Sequence, residues 1–413
     1  MKKQYLLFII IAAGLLTFSS GCKKEAGYKT LIITGQNNHN WKASSPVLKQ
    51  ILDETGMFTS EIMITPEKGG DMKTFNPDFS KYKLVVLDYN DQDPGGINGN
   101  SWTEKTNTAF LEFVRNGGGV VVYHAANNAF PAWKEYNEMT GLGGWGGRNE
   151  KNGPYLYYKN NALVIDTAAG IGGSHGKRRE FVVQTMVTDH PITKGLPVRW
   201  LHGNDELYSQ LRGPANNMQI LATAFADSAA GGGTMRDEPM LMTITFEKGR
   251  IFHTAMGHAD EGGGPAMQCA GFIVTLQRGA EWAVTGNVTQ HIPFDFPSAA
   301  GVVLRPDFKE ITFEEAIANI GSYDIAKSTK YFSCLQSRIR NLAGDEKGLL
   351  SLEKMMVKVL NSNEATVESK KLLLRELSWM GSDYSVPAIK KLGSNAKLKD
   401  EVDFALARLQ AVK

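Results

Sequence analysis

The sequence predicts an α/β protein: a doubly wound, mostly parallel sheet followed by a small all-α domain. Three observations carry this. Short apolar runs, TLIIT at Thr30–Thr34, KLVVL at Lys83–Leu87 and GGGVVVYH at Gly117–His124, each stop at a polar segment, the form of strands buried on both faces. Stretches of helical spacing lie between the runs, and such alternation implies right-handed crossovers. From about Arg305 glycines thin out, no histidine follows His291, and helical spacing takes over.

Taken in order, Thr30–Thr34 is the first strand, and its loop carries His39 and Trp41. Ser45–Thr55 reads as a helix with Val47, Leu48, Ile51 and Leu52 on one face, capped by Ser44 or Ser45 before Pro46. Ser60–Thr65 and Lys83–Leu87 are the next strands, Thr103–Asn116 a helix, and Val120–Tyr123 the central strand, ending at His124. Ligands in open sheets sit outside the carboxyl ends of the strands, which places His124 where binding or chemistry occurs. Gly141–Gly153 is glycine-rich but lacks a strand-then-helix frame, so it reads as an active-site or surface loop rather than a dinucleotide fingerprint. Strands follow at Arg179–Met186, Gln219–Thr223, Met240–Phe246 and Ile251–Thr254, and Ala270–Ala283 is a closing helix.

The 413 residues divide into a targeting segment (1–22), a tether (23–29), the α/β domain (30–290), a linker (291–304) and a helical module (305–413). Lys2 and Lys3, the apolar Leu6–Leu16 and the small residues before Cys22 resemble a bacterial lipoprotein signal, with Cys22 as the acylated residue. That implies a protein held at the cell envelope, on the periplasmic or outer-membrane face, by a lipid anchor. The balance of 45 Lys+Arg against 43 Asp+Glu provides no field for gathering nucleic acid, which is excluded as a partner. Cys269 and Cys334 read as two buried thiols. LLLRELSWMG, YSVPAIKKLG and DEVDFALARL resemble HEAT-type helix pairs, which would offer a surface to a protein partner.

Four motifs, GGGVVVYH (Gly117–His124), DHPITKGLP (Asp189–Pro197), NDELY (Asn204–Tyr208) and GRIFHTAMGH (Gly249–His258), resemble the ThuA-like (trehalose utilisation) family over about Tyr28–Gly286. The resemblance implies a glutamine amidotransferase-like, flavodoxin-like fold and a carbohydrate ligand such as an oxidised (3-keto) glycoside. A glutaminase needs a Cys at the strand-to-helix elbow, and none lies near His124, so that activity is excluded.

The catalytic candidates are His124, Asp205, Glu206 and His258, which suit acid–base work on the acidified proton beside a sugar carbonyl. Glu206 or His124 would be the base and His258 an acid or ligand. Asp205 and Glu206 are adjacent, so on a strand they face opposite sides and one of them enters the site. His39, Trp41, Asn127, His175, His202 and Tyr208 are the substrate-binding candidates, and Trp133 and Trp145 are further aromatic platforms. No metal-ligand spacing appears, yet His124, His202 and His258 would suit a divalent metal.

Overall fold

The computed structural model describes residues 27–91, 102–327 and 329–411; the expected signal segment and Cys22 lie outside them. The chain opens with β1 (Tyr28–Thr34), α1 (Trp41–Glu54), β2 (Phe58–Ile64), β3 (Leu84–Leu87), α2 (Glu104–Arg115) and β4 (Gly119–Tyr123). β3 and β4 are buried along their whole length, as expected of runs with no polar alternation. Helix α1 starts one turn earlier than expected, at Trp41. Ser44 and Ser45 therefore do not cap it; both hydroxyls donate to Asp88 at 2.6 Å.

The second half contains α3 (Lys134–Thr140), the hairpin β5 (Tyr155–Lys159) and β6 (Ala162–Asp166), and the short β7 (Ser174–His175). It continues through β8 (Arg179–Thr185), β9 (Arg199–Asp205), β10 (Tyr208–Ser209), β11 (Met218–Phe225), β12 (Asp237–Phe246) and β13 (Gly249–Thr254). Helices α4 (Gly264–Gln268) and α5 (Ala270–Thr285) close this part.

The main path of the sheet runs β2-β1-β3-β4-β13-β12-β11-β8-β9. Its first five strands are parallel and form the predicted doubly wound core, while β12, β11, β8 and β9 extend it antiparallel. Because β1 is followed by β2 on one side and β3 on the other, the winding reverses at β1/β3, where such sheets leave a crevice at the strands' carboxyl ends. Helices cover both faces. On β13, Phe252 meets α5 so closely that a Cβ at Gly279 would sit 2.2 Å from its ring. The next residue, His253, points the other way and its Nδ1 bonds the Thr140 carbonyl in α3 at 2.9 Å.

Residues beyond α5 stay packed on the α/β part. Phe296 is fully buried against Trp200, with ring centroids 5.5 Å apart, and Arg305 pairs with buried Asp295. Helices α6 (Phe313–Ile320), α7 (Lys330–Asn341), α8 (Glu346–Leu360), α9 (Val367–Met380), α10 (Val386–Lys391) and α11 (Lys399–Ala411) then gather a core of their own around Met356, Leu373, Leu377 and Ile389. The predicted C-terminal helical region is thus present. Cys269 and Cys334 are buried and unpaired. Among the described residues no helix is long and apolar enough to cross a membrane.

Candidate active site

Four side chains from four different elements meet at the carboxyl edge of the sheet. His39 comes from the loop after β1, His124 from the end of β4, Glu206 from the residue after β9, and His258 from the loop after β13. One ligand-type atom from each lies within 4.8 Å of the others, so together they could hold a cation. Glu206 is the hub. Its Oε2 is 3.4 Å from His39 Nε2 and 3.6 Å from His124 Nε2, and its Oε1 is 3.2 Å from His258 Nδ1 and 3.9 Å from His175 Nε2.

Each position has a local cause. His124 takes the sharp turn at the end of β4 with φ of +45°, a left-handed conformation uncommon for any residue bearing a Cβ and held here by its surroundings. Its Nδ1 lies 2.8 Å from the Ala255 carbonyl, which can only accept, so Nδ1 carries the proton and Nε2 faces Glu206. The His39 loop is tied down by Asn37, whose side chain accepts from the His39 amide at 3.0 Å and donates to Asp88 at 3.2 Å. Gly257 precedes His258 with φ of +112°, and a Cβ there would come within 2.7 Å of both Tyr123 and Phe272.

Asp205 organises the floor. Its Oδ1 accepts from the amides of Glu206 (2.7 Å) and His258 (3.0 Å), and its Oδ2 from the Gly257 amide (2.7 Å) and His202 Nε2 (2.8 Å). Consecutive strand residues point to opposite sides, so Asp205 lies beneath the site and Glu206 enters it.

Electrostatics follow from this packing. Burial opposes ionisation of Glu206, but the surrounding His124, His258 and His39 imidazoles outweigh it and hold the carboxyl far below its ordinary range. Burial lowers His39 to about 4, with only partial compensation from Glu206. For His258 burial also works downward, yet the Glu206 carboxylate prevails and raises it. His202 is likewise opposed by burial and raised to about 9 by its bond to Asp205. Neither His124 Nε2 nor His258 Nδ1 makes a directed hydrogen bond, although both are buried beside the carboxylate.

An aromatic wall stands over the cluster. Tyr208 stacks on His124 at 4.3 Å, its hydroxyl lies 3.4 Å from His39 Nε2, and the Trp145 ring is 4.8 Å away. The β7–β10 pairing sets His175 opposite Tyr208, at the half-exposed rim. Beside it Arg178 donates to Asp260 at 2.7 Å, a rim contact that sequence reading missed because neither residue stands in a motif.

The structure does not gather every candidate. His202 is fully buried on Asp205 rather than facing Glu206, which removes it from a direct ligand or substrate role. Asn127 is also fully buried, its amide turned to His253 Nε2 at 3.1 Å. Trp41 opens α1, where the Lys42 ammonium lies 5.6 Å from its ring centroid. Trp133 packs among Trp102, Phe110, Phe130 and Tyr136 as core. Asp205 supports the site from below instead of entering it. His39, proposed as a substrate contact, is a full member of the cluster.

The sequence profile described as ThuA, trehalose utilisation, matches residues 29–283. A thua-like protein from Parabacteroides merdae shares 53% identity, over 69% of this chain and 99% of its own, with a TM-score of 0.65. A thua-like protein from Bacteroides uniformis shares 17% identity, over 64% of this chain and 94% of its own, with a TM-score of 0.38. No curated protein matches.

Proposed function

The chain belongs to the ThuA family, which supports a carbohydrate-related role, and from that premise we propose that it acts on a glycoside or 3-keto-sugar by acid–base chemistry at the Glu206 centre. The observation behind this reading is the convergence of three imidazoles and one carboxylate under the Tyr208 wall at the carboxyl edge of the sheet. A 3-keto-sugar has an acidified C–H bond beside its carbonyl. Removing that proton forms an enolate, whose charge must be stabilised by fixed cationic or hydrogen-bonding groups. His39, His124 and His258 would receive the sugar's oxygens, and Tyr208 and Trp145 would pack on its apolar face. Glu206, with both oxygens facing imidazoles, supplies the charge of the centre rather than a free base. In this reading His175, 3.9 Å from Glu206 with 38% of its side chain exposed, would take the proton and exchange it with solvent.

The test is incubation of the purified protein with 3-keto-trehalose, 3-keto-glucosides and the parent sugars, followed by mass spectrometry. Conversion that disappears in His124→Ala supports the reading. Saturable binding without conversion would replace it with a sugar-binding role, and no effect of any sugar would sink it.

The remaining proposals concern attachment. A lipid anchor on Cys22 would hold the protein at the bacterial envelope, and the helical region would offer a HEAT-like surface to a protein partner. Cys22→Ser should then move the protein from the membrane fraction to the soluble one. Unchanged fractionation would remove the anchor from the account. Trp379→Ala, which changes a side chain exposed on α9, should release any co-purifying protein while sugar conversion persists.

A further inference from the structure

We propose that His39, His124, His258 and Glu206 form a binding site for a divalent first-row transition-metal ion. This deepens the reading of the same cluster given above, but its test needs no sugar.

The spacing is the first argument. The three nitrogens stand 3.2, 3.4 and 3.6 Å from the Glu206 oxygens. Ligands about 2.1 Å from one ion, separated by tetrahedral or octahedral angles, lie roughly 3.0–3.4 Å apart. The His258 and His39 nitrogens fall within that range and His124 lies just beyond it, so all three imidazoles stand close enough to the carboxylate to share one ion with it.

The second argument is the pair of buried nitrogens, His124 Nε2 and His258 Nδ1, that face the carboxylate without a directed hydrogen bond. Buried polar atoms are rarely left so, and each one calls for an explanation. With Nδ1 of His124 committed to the Ala255 carbonyl, its Nε2 is the ring atom left to meet whatever positive charge, proton or metal ion, stands beside the carboxylate. An imidazole nitrogen and a carboxylate oxygen attract each other only through a positive charge between them, either a proton or a metal ion. Three imidazoles around one carboxylate would need a proton in each gap, whereas a single divalent cation serves all of them.

The third argument is the support around the four groups. Metal-ligating histidines commonly donate their other ring N–H to an oxygen, which sets tautomer and orientation. His124 does so to Ala255, and His39 Nδ1 lies 3.2 Å from Asn38 Oδ1. The His258 backbone is fixed from below by Asp205.

A set of three imidazoles and one carboxylate favours Mn²⁺, Fe²⁺, Co²⁺, Ni²⁺ or Zn²⁺ over Mg²⁺ and Ca²⁺, which prefer all-oxygen sites. Four protein ligands leave further coordination positions to a substrate. The class that fits is an oxygen chelator with a carbonyl and a neighbouring hydroxyl, as an oxidised sugar presents.

The experiment titrates the EDTA-stripped, dialysed full chain with Co²⁺. Stoichiometry is read by elemental analysis and the ligand field by visible absorption. One equivalent should bind, with d–d bands and a raised melting temperature. Glu206→Gln and His124→Ala, each checked for native circular dichroism, should bind at least tenfold more weakly. His291→Ala, which removes an exposed histidine outside the cluster, should bind like the wild type. Absence of stoichiometric uptake, or equal uptake by wild type and Glu206→Gln, overturns the proposal. Stoichiometric uptake with no sugar conversion would retain the metal site and discard the catalytic reading.

Discussion

Asp205 and Glu206 are neighbours in sequence, both are buried carboxylates, and both face histidine, yet they are opposites in their bonding. Asp205 is saturated: four donors, three backbone amides and one imidazole, divide evenly over its two oxygens. Glu206 is crowded by imidazoles at 3.2–3.9 Å, two of whose nitrogens lack a directed bond. A satisfied buried network stiffens a fold, while an unsatisfied one stores a demand that a ligand can meet. One dipeptide thus provides both the floor and the chemistry of the site.

The strongest way to break this comparison is Asp205→Asn. An amide directs two hydrogens where four donors already point, leaving His202 as a buried cation without its counter-charge. Chemical denaturation should show a loss of roughly 3–5 kcal/mol, as for other broken buried pairs. A loss under about 1 kcal/mol would remove Asp205 from its supporting role.

Glu206→Gln should do the reverse. Its stability should stay within about 1 kcal/mol of wild type, or rise, because the site's unmet polar groups are a cost to folding. Turnover on a keto-sugar should fall ~10²-fold or more. Measuring both quantities on one preparation distinguishes floor from site. Equal damage to stability in both variants would erase the contrast.

A third kind of buried carboxylate sharpens the picture. Among the described residues Asp88 accepts from Ser44, Ser45 and Asn37, and Glu238 from Thr234 and the Gln210 amide, with Arg236 and Asp237 nearby. Burial outweighs these contacts and pushes each up to about 7. Their folded values lie above the unfolded ones, so the native state binds more protons between about pH 4 and 7. The stability they contribute is complete below that window and is lost as pH rises through about 7. Each group adds a slope of up to about 1.4 kcal/mol per pH unit. Because His39 and His253, both lowered to about 4, add an opposite slope, the reading is the difference: the melting temperatures of Asp88→Asn and Glu238→Gln relative to wild type should rise between pH 5 and 7. An unchanged slope in both variants would show that other groups set it.

The smallest effect is expected at the rim. His175→Ala should slow conversion about tenfold, the low end of proton-transfer contributions, and leave stability within about 0.5 kcal/mol. Rescue of the rate by added imidazole would identify a proton carrier; a change in KM alone would instead make His175 a substrate contact.

Much of this arrangement was legible in local pattern. Uninterrupted apolar runs ending in polar residues marked β1, β3 and β4 and pointed to His124 at a strand end, because burial on both faces removes polar alternation and the sheet's carboxyl edge is where polar side chains emerge. The period of two along a strand puts Asp205 and Glu206 on opposite sides, so that one of them enters the site, without saying which. Local pattern could not decide which histidines meet. His202 stands three residues before Asp205 and faces the floor, whereas His39 lies 167 residues from Glu206 and reaches it. Asn127 follows His124 by three positions, yet a turn with φ of +45° carries it away to His253. Strand and helix identity are set by neighbours along the chain, through periodicity and backbone sterics. The Glu206 centre is set by the parallel ladders that bring β1, β4 and β13 into one sheet, by β9 joining it through the antiparallel extension, and by the hydrogen bonds that aim each ring. These contacts span the whole domain, so only the folded chain decides them.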